Sequence, residues 1–182
     1  WTLSEGNLKA VSTGSWGTIK SSIGMTSGKW YAEMTDLSGN NAGSVGVVRY
    51  DHTNTSCGNT SSDVGYGYLS DGNKTTTGNT TSSYGATWTT NDVIGIALDL
   101  SGSTGTVTFY KNGATQGQAF TLTTADGPWF FAACDDSNSN QTTQLWNFGQ
   151  RPFEDEAPTG HKCLCTQNLD NTFDSEDSEN NP

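Results

Sequence analysis

Short stretches in which apolar and polar residues alternate recur along the whole chain, and Gly, Asn, Asp and Ser separate them. Alternation with a period of two residues is typical of a β-strand that buries one of its faces. The pattern predicts strands at residues 7–12, 16–22, 29–36, 43–50, 64–69, 92–100, 105–111, 128–134 and 142–148. Helical periodicity is nearly absent, so we predict an all-β fold of short antiparallel strands.

One hairpin and several loops are predicted from turn chemistry. Asn112-Gly113 follows the predicted strand 105–111, and Asn-Gly supplies the positive φ angles that a tight hairpin requires. Residues 92–120 are therefore predicted to form a meander. Three stretches rich in Asn, Thr, Ser and Gly are not assigned to strands and are interpreted as long loops: 51–63, 70–83 and 135–140.

The composition agrees with this interpretation and limits the possible partners. Only 31% of the residues are hydrophobic and the chain contains 22 Gly, which favours short strands and many turns over long amphipathic helices. The net charge of −11 argues against a nucleic acid or an anionic membrane as partner, because both bind clustered Lys and Arg. No apolar stretch approaches the length of a transmembrane helix, so membrane insertion is not expected.

The chain has the length of one domain, which we place at residues 1–169. Residues 170–182 are acidic and polar, and we interpret them as a linker or tail that contributes little to stability. The chain starts at Trp1 without a recognisable signal peptide and stops in a polar segment. We therefore interpret it as part of a longer protein.

The four cysteines suggest no pairing by their spacing: Cys57, Cys134, Cys163 and Cys165. Cys163 and Cys165 are separated by a single residue, and we expect them to be poorly placed to bridge each other. We predict that all four thiols are reduced. Neither His52 nor His161 has Cys or His neighbours at zinc spacing, so no metal site is predicted there.

Six motifs in order resemble the SPRY family: Gly28-Lys29-Trp30-Tyr31-Ala32-Glu33, Val45-Gly46-Val47, Tyr66-Gly67-Tyr68, Trp88-Thr89-Thr90-Asn91-Asp92-Val93-Ile94-Gly95, Val107-Thr108-Phe109-Tyr110-Lys111-Asn112-Gly113 and Asn147-Phe148-Gly149-Gln150-Arg151-Pro152-Phe153. The resemblance implies a two-sheet antiparallel β-sandwich of the concanavalin-like jelly-roll type. It also implies that variable loops at one edge bind the ligand, and that there is no catalytic pair. The sequence is most similar to those of the SPRY modules of bacteriophage tail-fibre and virion-surface proteins.

The aromatic residues divide into two groups. Those within predicted strands are expected in the core: Trp16, Trp30, Phe109, Trp129, Phe130, Trp146 and Phe148. Alternation places Trp30 on one face of its strand and Tyr31 and Glu33 on the other, which predicts a buried indole and a solvated carboxylate. Those flanking the long loops are candidates for either packing or ligand contact: Tyr50, Tyr66, Tyr68, Tyr84 and Trp88.

Catalytic and cation-binding patterns are weak. A retaining glycosidase needs two adjacent carboxyl groups, but the Glu-x-Asp-x-x-Glu strand of laminarinase-like enzymes is absent, and residues 154–156 lie between two prolines in an expected exposed connection. A Ser-His-Asp triad would require His52 or His161, and His52 is expected to be an exposed loop residue. Asp136-x-Asn138-x-Asn140 resembles the start of a calcium loop, but Gln141 and Asn147 stand where Gly and Glu are required. We predict no enzyme activity, metal or cofactor.

The favoured hypothesis is a recognition module on a viral surface or tail fibre that binds a host-cell glycan or protein. The alternatives are a protein-interaction or docking module, either a peptide binder in the cytoplasm or a subunit that contacts neighbouring virion subunits, and lastly a glycan-active enzyme. A homo-oligomer is suggested by analogy with other fibres. The candidate ligand-binding residues lie in and beside the long loops: Asp51, His52, Tyr68, Asp71, Tyr84, Trp88, Asp135, Asp136 and Asn138.

Overall fold

The computed structural model describes residues 1–38, 43–53, 56–58, 64–78, 80–135 and 140–168, and the fold there is all-β. The expected tail, 170–182, lies outside these residues. Within them, helical structure is limited to the 3₁₀ turns Thr124–Asp126 and Thr166–Asn168. The strands in chain order are β1 (Thr2–Ser4), β2 (Lys9–Val11), β3 (Gly17–Lys20), β4 (Gly28–Asp36), β5 (Gly43–Arg49), β6 (Gly65–Leu69), β7 (Asn73–Thr76), β8 (Thr80–Ser83), β9 (Val93–Leu100), β10 (Thr104–Lys111), β11 (Ala114–Thr123), β12 (Trp129–Asp135), β13 (Thr143–Asn147) and β14 (Lys162–Cys163).

The described strands form two sheets that pack face to face, as predicted. We call sheet A the one with strand order β1-β2-β13-β4-β9-β10-β11, and sheet B the one with order β3-β12-β5-β6-β7-β8. Pairing is antiparallel throughout, except that the short strand β14 runs parallel to the start of β4. The predicted meander is confirmed as β9-β10-β11, and Asn112 and Gly113 have φ angles of 48° and 75° in its hairpin turn.

The stretch 70–83 corrects the prediction of a long loop. It contains the hairpin of β7 and β8, in which Thr and Ser pair with Asn, Lys and Thr. All four side chains of β8 are exposed, so this strand shows no apolar alternation that could have predicted it. The pattern also missed β1, whose side chains are exposed, and the two-residue strand β14.

The core lies between the two sheets. Sheet A contributes Trp30, Met34, Ile96 and Phe109 among others, and sheet B contributes Trp129 and Phe131. Burial of these large apolar side chains is the main stabilising term of the fold.

Aromatic packing follows the prediction only in part. Trp30, Phe109, Trp129 and Trp146 are buried. Phe130 and Phe148 are half-buried, and Trp16 is wrong as a core residue because its side chain is 38% exposed just before β3 begins. Of the aromatics flanking the loops, Tyr50 is exposed, Tyr66 and Tyr84 are half-buried, and Tyr68 and Trp88 are fully part of the core.

A disulfide covers the outer face of sheet B and corrects the prediction of four reduced thiols. Cys57, in the connection between β5 and β6, is bonded to Cys134 near the end of β12, and both residues are fully buried. Gly65 and Gly67 make room for this connection, because a Cβ on Gly65 would lie 2.0 Å from the Cys57 carbonyl oxygen. The two cysteines are 77 residues apart, so no local spacing indicates their pairing.

The outer face of sheet A is covered by the segment after β13, and this corrects the prediction for Glu33. Its side chain is 1% exposed, not solvated. The carboxylate accepts hydrogen bonds from the backbone N–H groups of Glu154 and Asp155, both at 2.9 Å. Tyr31, on the same face, stacks edge-on against Phe153 with ring centroids 4.9 Å apart. The segment around residues 153–155 is therefore held by a buried carboxylate.

Burial raises the pKa of Glu33 above its ordinary value, although the hydrogen bonds from Asp155 and Glu154 act in the opposite direction. A carboxyl group whose pKa is higher in the folded than in the unfolded state stabilises the fold below its unfolded pKa, and this contribution is lost as the pH rises through the folded pKa. We predict that the stability of the parent relative to Glu33→Gln increases as the pH is lowered from neutral towards the ordinary range of glutamate. Urea unfolding of both proteins over a pH series tests this. A pH-independent difference would contradict the assignment.

Candidate functional site

Several connections meet at one end of the sandwich, where β5 begins and β4, β6 and β12 end. Gly43 pairs with Asp135, and Ser44 pairs with Leu69, which places these strand ends side by side. The end of β4 joins them because Asn91 N–H donates to the Asp36 carbonyl at 2.7 Å. We call this end the upper rim, defined by residues 37–38, 70–72, 84–92, 112–113 and 140–142.

The centre of the upper rim is the connection 84–92, and hydrogen bonds from three directions fix it. The Tyr68 hydroxyl donates to the Ala86 carbonyl. The Ala86 N–H donates to Gln116 Oε1 at 2.9 Å, and the Trp88 N–H donates to the Ser70 carbonyl at 2.9 Å. Trp88 is 2% exposed and belongs to the core cluster, so it anchors this connection from below.

Asp92 organises the end of the same connection. Its carboxylate accepts from the Thr89 N–H and the Asn112 amide, both at 2.8 Å, and lies 3.1 Å from Lys111 Nζ. Burial alone would raise the pKa of Asp92, but the bonds from Asn112 and Thr89 and the contact with Lys111 lower it. The carboxylate is therefore ionised at neutral pH and ties the β10–β11 turn to residues 84–92.

The outward surface of the upper rim is polar and mostly uncharged. Its exposed side chains include Thr87, Thr89, Thr90, Asn91 and Asn112. Leu37 adds an apolar side chain that is 36% exposed. Hydroxyl and amide groups both donate and accept hydrogen bonds. This surface can therefore bind polar groups of a partner without requiring a particular charge on them.

Asp71 lies at the upper rim, and Asp135 lies next to it at the end of β12. Asp71 is exposed, and its carboxylate accepts from the backbone N–H and side-chain amide of Asn73, both at 2.9 Å. Asp135 is the last residue of β12 and is fully buried, so its assignment to a loop was wrong. Asp136 and Asn138, and the calcium-like pattern that they begin, lie outside the described residues.

Asp51 and His52 lie away from the upper rim. Asp51 is exposed at the opposite end, where its carboxylate forms a bidentate pair with Arg49 at 2.7 and 2.9 Å, and this pair lowers the pKa of Asp51. His52 is 4% exposed, with Nε2 3.1 Å from the Ser56 carbonyl oxygen, so the expectation of an exposed loop histidine was wrong. The structure therefore does not bring the predicted residues into one site.

Tyr68, Tyr84 and Trp88 support the upper rim from within rather than line it. Tyr68 and Tyr84 pack edge-on with centroids 5.2 Å apart, and burial raises the pKa of each to about 12. The Tyr84 hydroxyl donates to the Gly117 carbonyl. The rings of Tyr68 and Trp88 are therefore not available to stack on a sugar.

Sequence reasoning missed the exposed threonines 87, 89 and 90. Thr89 and Thr90 lie in the family-like motif that begins at Trp88, but no pattern in the sequence marks these three side chains as ligand contacts. Gln116 was also missed, because its contact with Ala86 joins residues 30 positions apart.

A concave surface lies away from the upper rim, between β2 and β3. It is an apolar cavity of about 130 Å³ whose lining includes Leu3, Ile19, Phe131 and Trp146. Leu3 is 44% exposed at its mouth. None of the predicted site residues lines this cavity.

Neither a metal-binding cluster nor a membrane-spanning helix is found among the residues that the structure describes. His, Cys, Asp and Glu side chains form no group of three or more that could hold a metal ion there. The same residues include no helix long and apolar enough to cross a membrane.

Comparison with known proteins gives a consistent result. A model of the SPRY domain family matches residues 28–150, more than half of the chain. The crystal structure of the SPRY domain of human HERC1 is similar, with a TM-score of 0.65 and 23% identity over 83% of this chain and 94% of that chain. A crystal structure of a human SPRY domain has a TM-score of 0.57 and 19% identity, covering 70% of this chain and 82% of that chain. A search of curated proteins found no match.

Proposed function

Because the chain belongs to the SPRY domain family, we propose that it is a non-enzymatic interaction module that binds a protein partner through the upper rim. The observation that carries the proposal is the fixed connection 84–92. Its backbone is held by Tyr68, Gln116 and Ser70, while the side chains of Thr87, Thr89 and Thr90 are exposed. A surface that is ordered before binding loses little conformational entropy on binding.

The chemistry of the upper rim suggests the kind of partner. Its hydroxyl and amide groups suit the backbone and polar side chains of a peptide segment. Asp71 adds an exposed carboxylate, and the chain as a whole has a net charge of −11. A neutral or basic segment is therefore favoured over an acidic one, because opposite charges increase the rate of association.

A finer assignment is also proposed, on the sequence resemblance alone. In this version the module lies on a virion surface or tail fibre, and the partner is a glycan or protein of the host cell. The upper rim supports a glycan less well than a peptide, because the aromatic rings that would stack on a sugar are packed inward. The alternative is that the module binds peptides in the cytoplasm.

We predict that Thr87→Lys and Thr90→Lys, made together, weaken peptide binding at least tenfold, which corresponds to about 1.4 kcal/mol. The lysines add bulk and charge where a partner must approach, and both threonine side chains are exposed, so the fold should be unaffected. The measurement is selection of a random peptide library on the parent, followed by titration of the enriched peptides against each variant. Unchanged melting temperatures show that the variants are folded.

Leu3→Lys is the matched control, since it places the same side chain at the mouth of the apolar cavity. If the peptides bound the upper-rim variant as tightly as the parent but bound Leu3→Lys more weakly, the binding site would be the cavity and not the upper rim. Failure to enrich any peptide would contradict the proposal. If a glycan array then showed binding that the upper-rim variant loses, the glycan partner would be the better assignment.

A further inference from the structure

Cys163 and Cys165 form a close thiol pair that the proposed function does not use. Their Sγ atoms lie 3.2 Å apart, and the two are not bonded to each other. The strand β14 ends at Cys163, and the Cys165 N–H donates to the Cys163 carbonyl at 3.0 Å. This three-residue turn brings the two thiols together, so the expectation that they are poorly placed to bridge each other was wrong.

The surroundings hold the pair in this position. Leu164, between the two cysteines, is 5% exposed and belongs to the core cluster. The Asn168 amide donates to the Cys163 carbonyl at 3.0 Å and lies 2.9 Å from Cys163 Sγ and 3.4 Å from Cys165 Sγ. Both cysteines are only half-buried, whereas Cys57 and Cys134 are fully buried. A dissolved reagent can therefore reach this pair.

The two thiols differ in acidity. The hydrogen bond from Cys163 lowers the pKa of Cys165, and the backbone N–H groups of Asn168 and Gln167 contribute in the same direction. Burial raises the pKa of Cys163, as does the neighbouring Cys165. Cys165 is therefore the first of the pair to become a thiolate, which is the nucleophilic form of cysteine.

We propose that Cys163 and Cys165 are a thiol–disulfide exchange site for small disulfides of the glutathione class. The Cys165 thiolate attacks one sulfur of the substrate, the S–S bond of the substrate breaks, and one thiolate leaves and takes up a proton. Cys163 then loses its proton and attacks Cys165 Sγ, which forms the Cys163–Cys165 bond and expels the second thiolate. The protein pair loses two electrons and two protons, and the disulfide substrate becomes two thiols.

The test uses the folded chain and glutathione disulfide, with free thiols trapped by alkylation after set times. Trypsin cleaves after Lys162, and no later Lys or Arg follows, so one peptide contains both cysteines. We expect this peptide to lose two hydrogens without retaining glutathione. A peptide with two alkylated thiols, or with stable bound glutathione, would overturn the proposal.

Single variants separate the two steps. Cys163→Ser is expected to stop at glutathione bound to Cys165, and Cys165→Ser to react at least tenfold more slowly. Asn168→Ala is expected to slow the second step about two- to tenfold, because the Asn168 amide lies 2.9 Å from Cys163 Sγ and lowers the pKa of that thiol. If both single-cysteine variants reacted at the rate of the urea-unfolded chain, the fold would not activate the pair and the proposal would be wrong. Circular dichroism confirms that each variant is folded.

Discussion

Replacing Cys57 and Cys134 together by alanine is expected to lower the free energy of unfolding by about 4 kcal/mol. The bond closes a loop of 77 residues, and a cross-link of that span restricts the unfolded chain strongly. It also pins the connection between β5 and β6 to the outer face of sheet B, where Val48, Ala132 and the half-buried Phe130 pack around it. A loss of this size is a large part of the 5–15 kcal/mol that is typical of a domain.

Equilibrium unfolding in urea, without reductant, measures this loss. The matched control is Cys163→Ala with Cys165→Ala, which removes two thiols but no cross-link. Unfolding of the parent in the presence of reductant should reproduce most of the effect. If the Cys57/Cys134 variant were as stable as the control pair, the bond would not stabilise the fold.

Trp30→Ala is expected to remove about 3–5 kcal/mol, since it deletes a large buried side chain from a packed core. Trp30 is 8% exposed, and its indole N–H donates to the Ser27 carbonyl at 2.6 Å. Thermal and urea unfolding measure the loss. Any loss of binding by this variant should follow its loss of fold.

Trp16→Ala is the control for this experiment, because the sequence pattern assigned both tryptophans to the core. The Trp16 side chain is 38% exposed, against 8% for Trp30, so its removal should lower stability clearly less than Trp30→Ala does. Equal losses from the two variants would mean that Trp16 packs more closely than the structure shows. A fully stable Trp30→Ala would contradict the assignment of β4 to the core.

Strands with a clear apolar face were predicted well. The predicted strand 29–36 corresponds to β4, and 105–111 to β10, because each has large side chains at alternate positions. The Asn112-Gly113 turn was predicted because its chemistry is local. By contrast, β8 consists of Thr and Ser with both faces exposed, and such a strand has no pattern that differs from a loop.

Three of the wrong predictions have a common physical cause. Glu33, His52 and Cys57 are buried by segments that are distant in sequence or that fold back over a sheet. A strand pattern indicates which side chains share a face, but not whether another segment covers that face. Tyr68 and Trp88 were ambiguous for the same reason. The sequence around an aromatic residue beside a loop does not show whether its side chain points into the core or towards solvent.

The order of strands in space has a consequence for synthesis. In sheet A, β4 has β9 on one side and β13 on the other. Among the described strands, β2 is joined to the rest of sheet A only by β13, and β3 pairs only with β12 in sheet B. Within that part of the chain, the first 20 residues therefore have no partner in the body of either sheet until synthesis has reached β12 and β13.

From the end of β3 to the start of β13, about 120 residues must be added, which takes roughly 6–25 s at about 5–20 residues per second. During that interval the backbone groups of β4 that later pair with β13 remain open. An open strand edge is a template for another chain. Copies emerging close together on one message are consequently the most exposed to mispairing, and the finished sandwich closes that edge with a strand from its own C-terminal part.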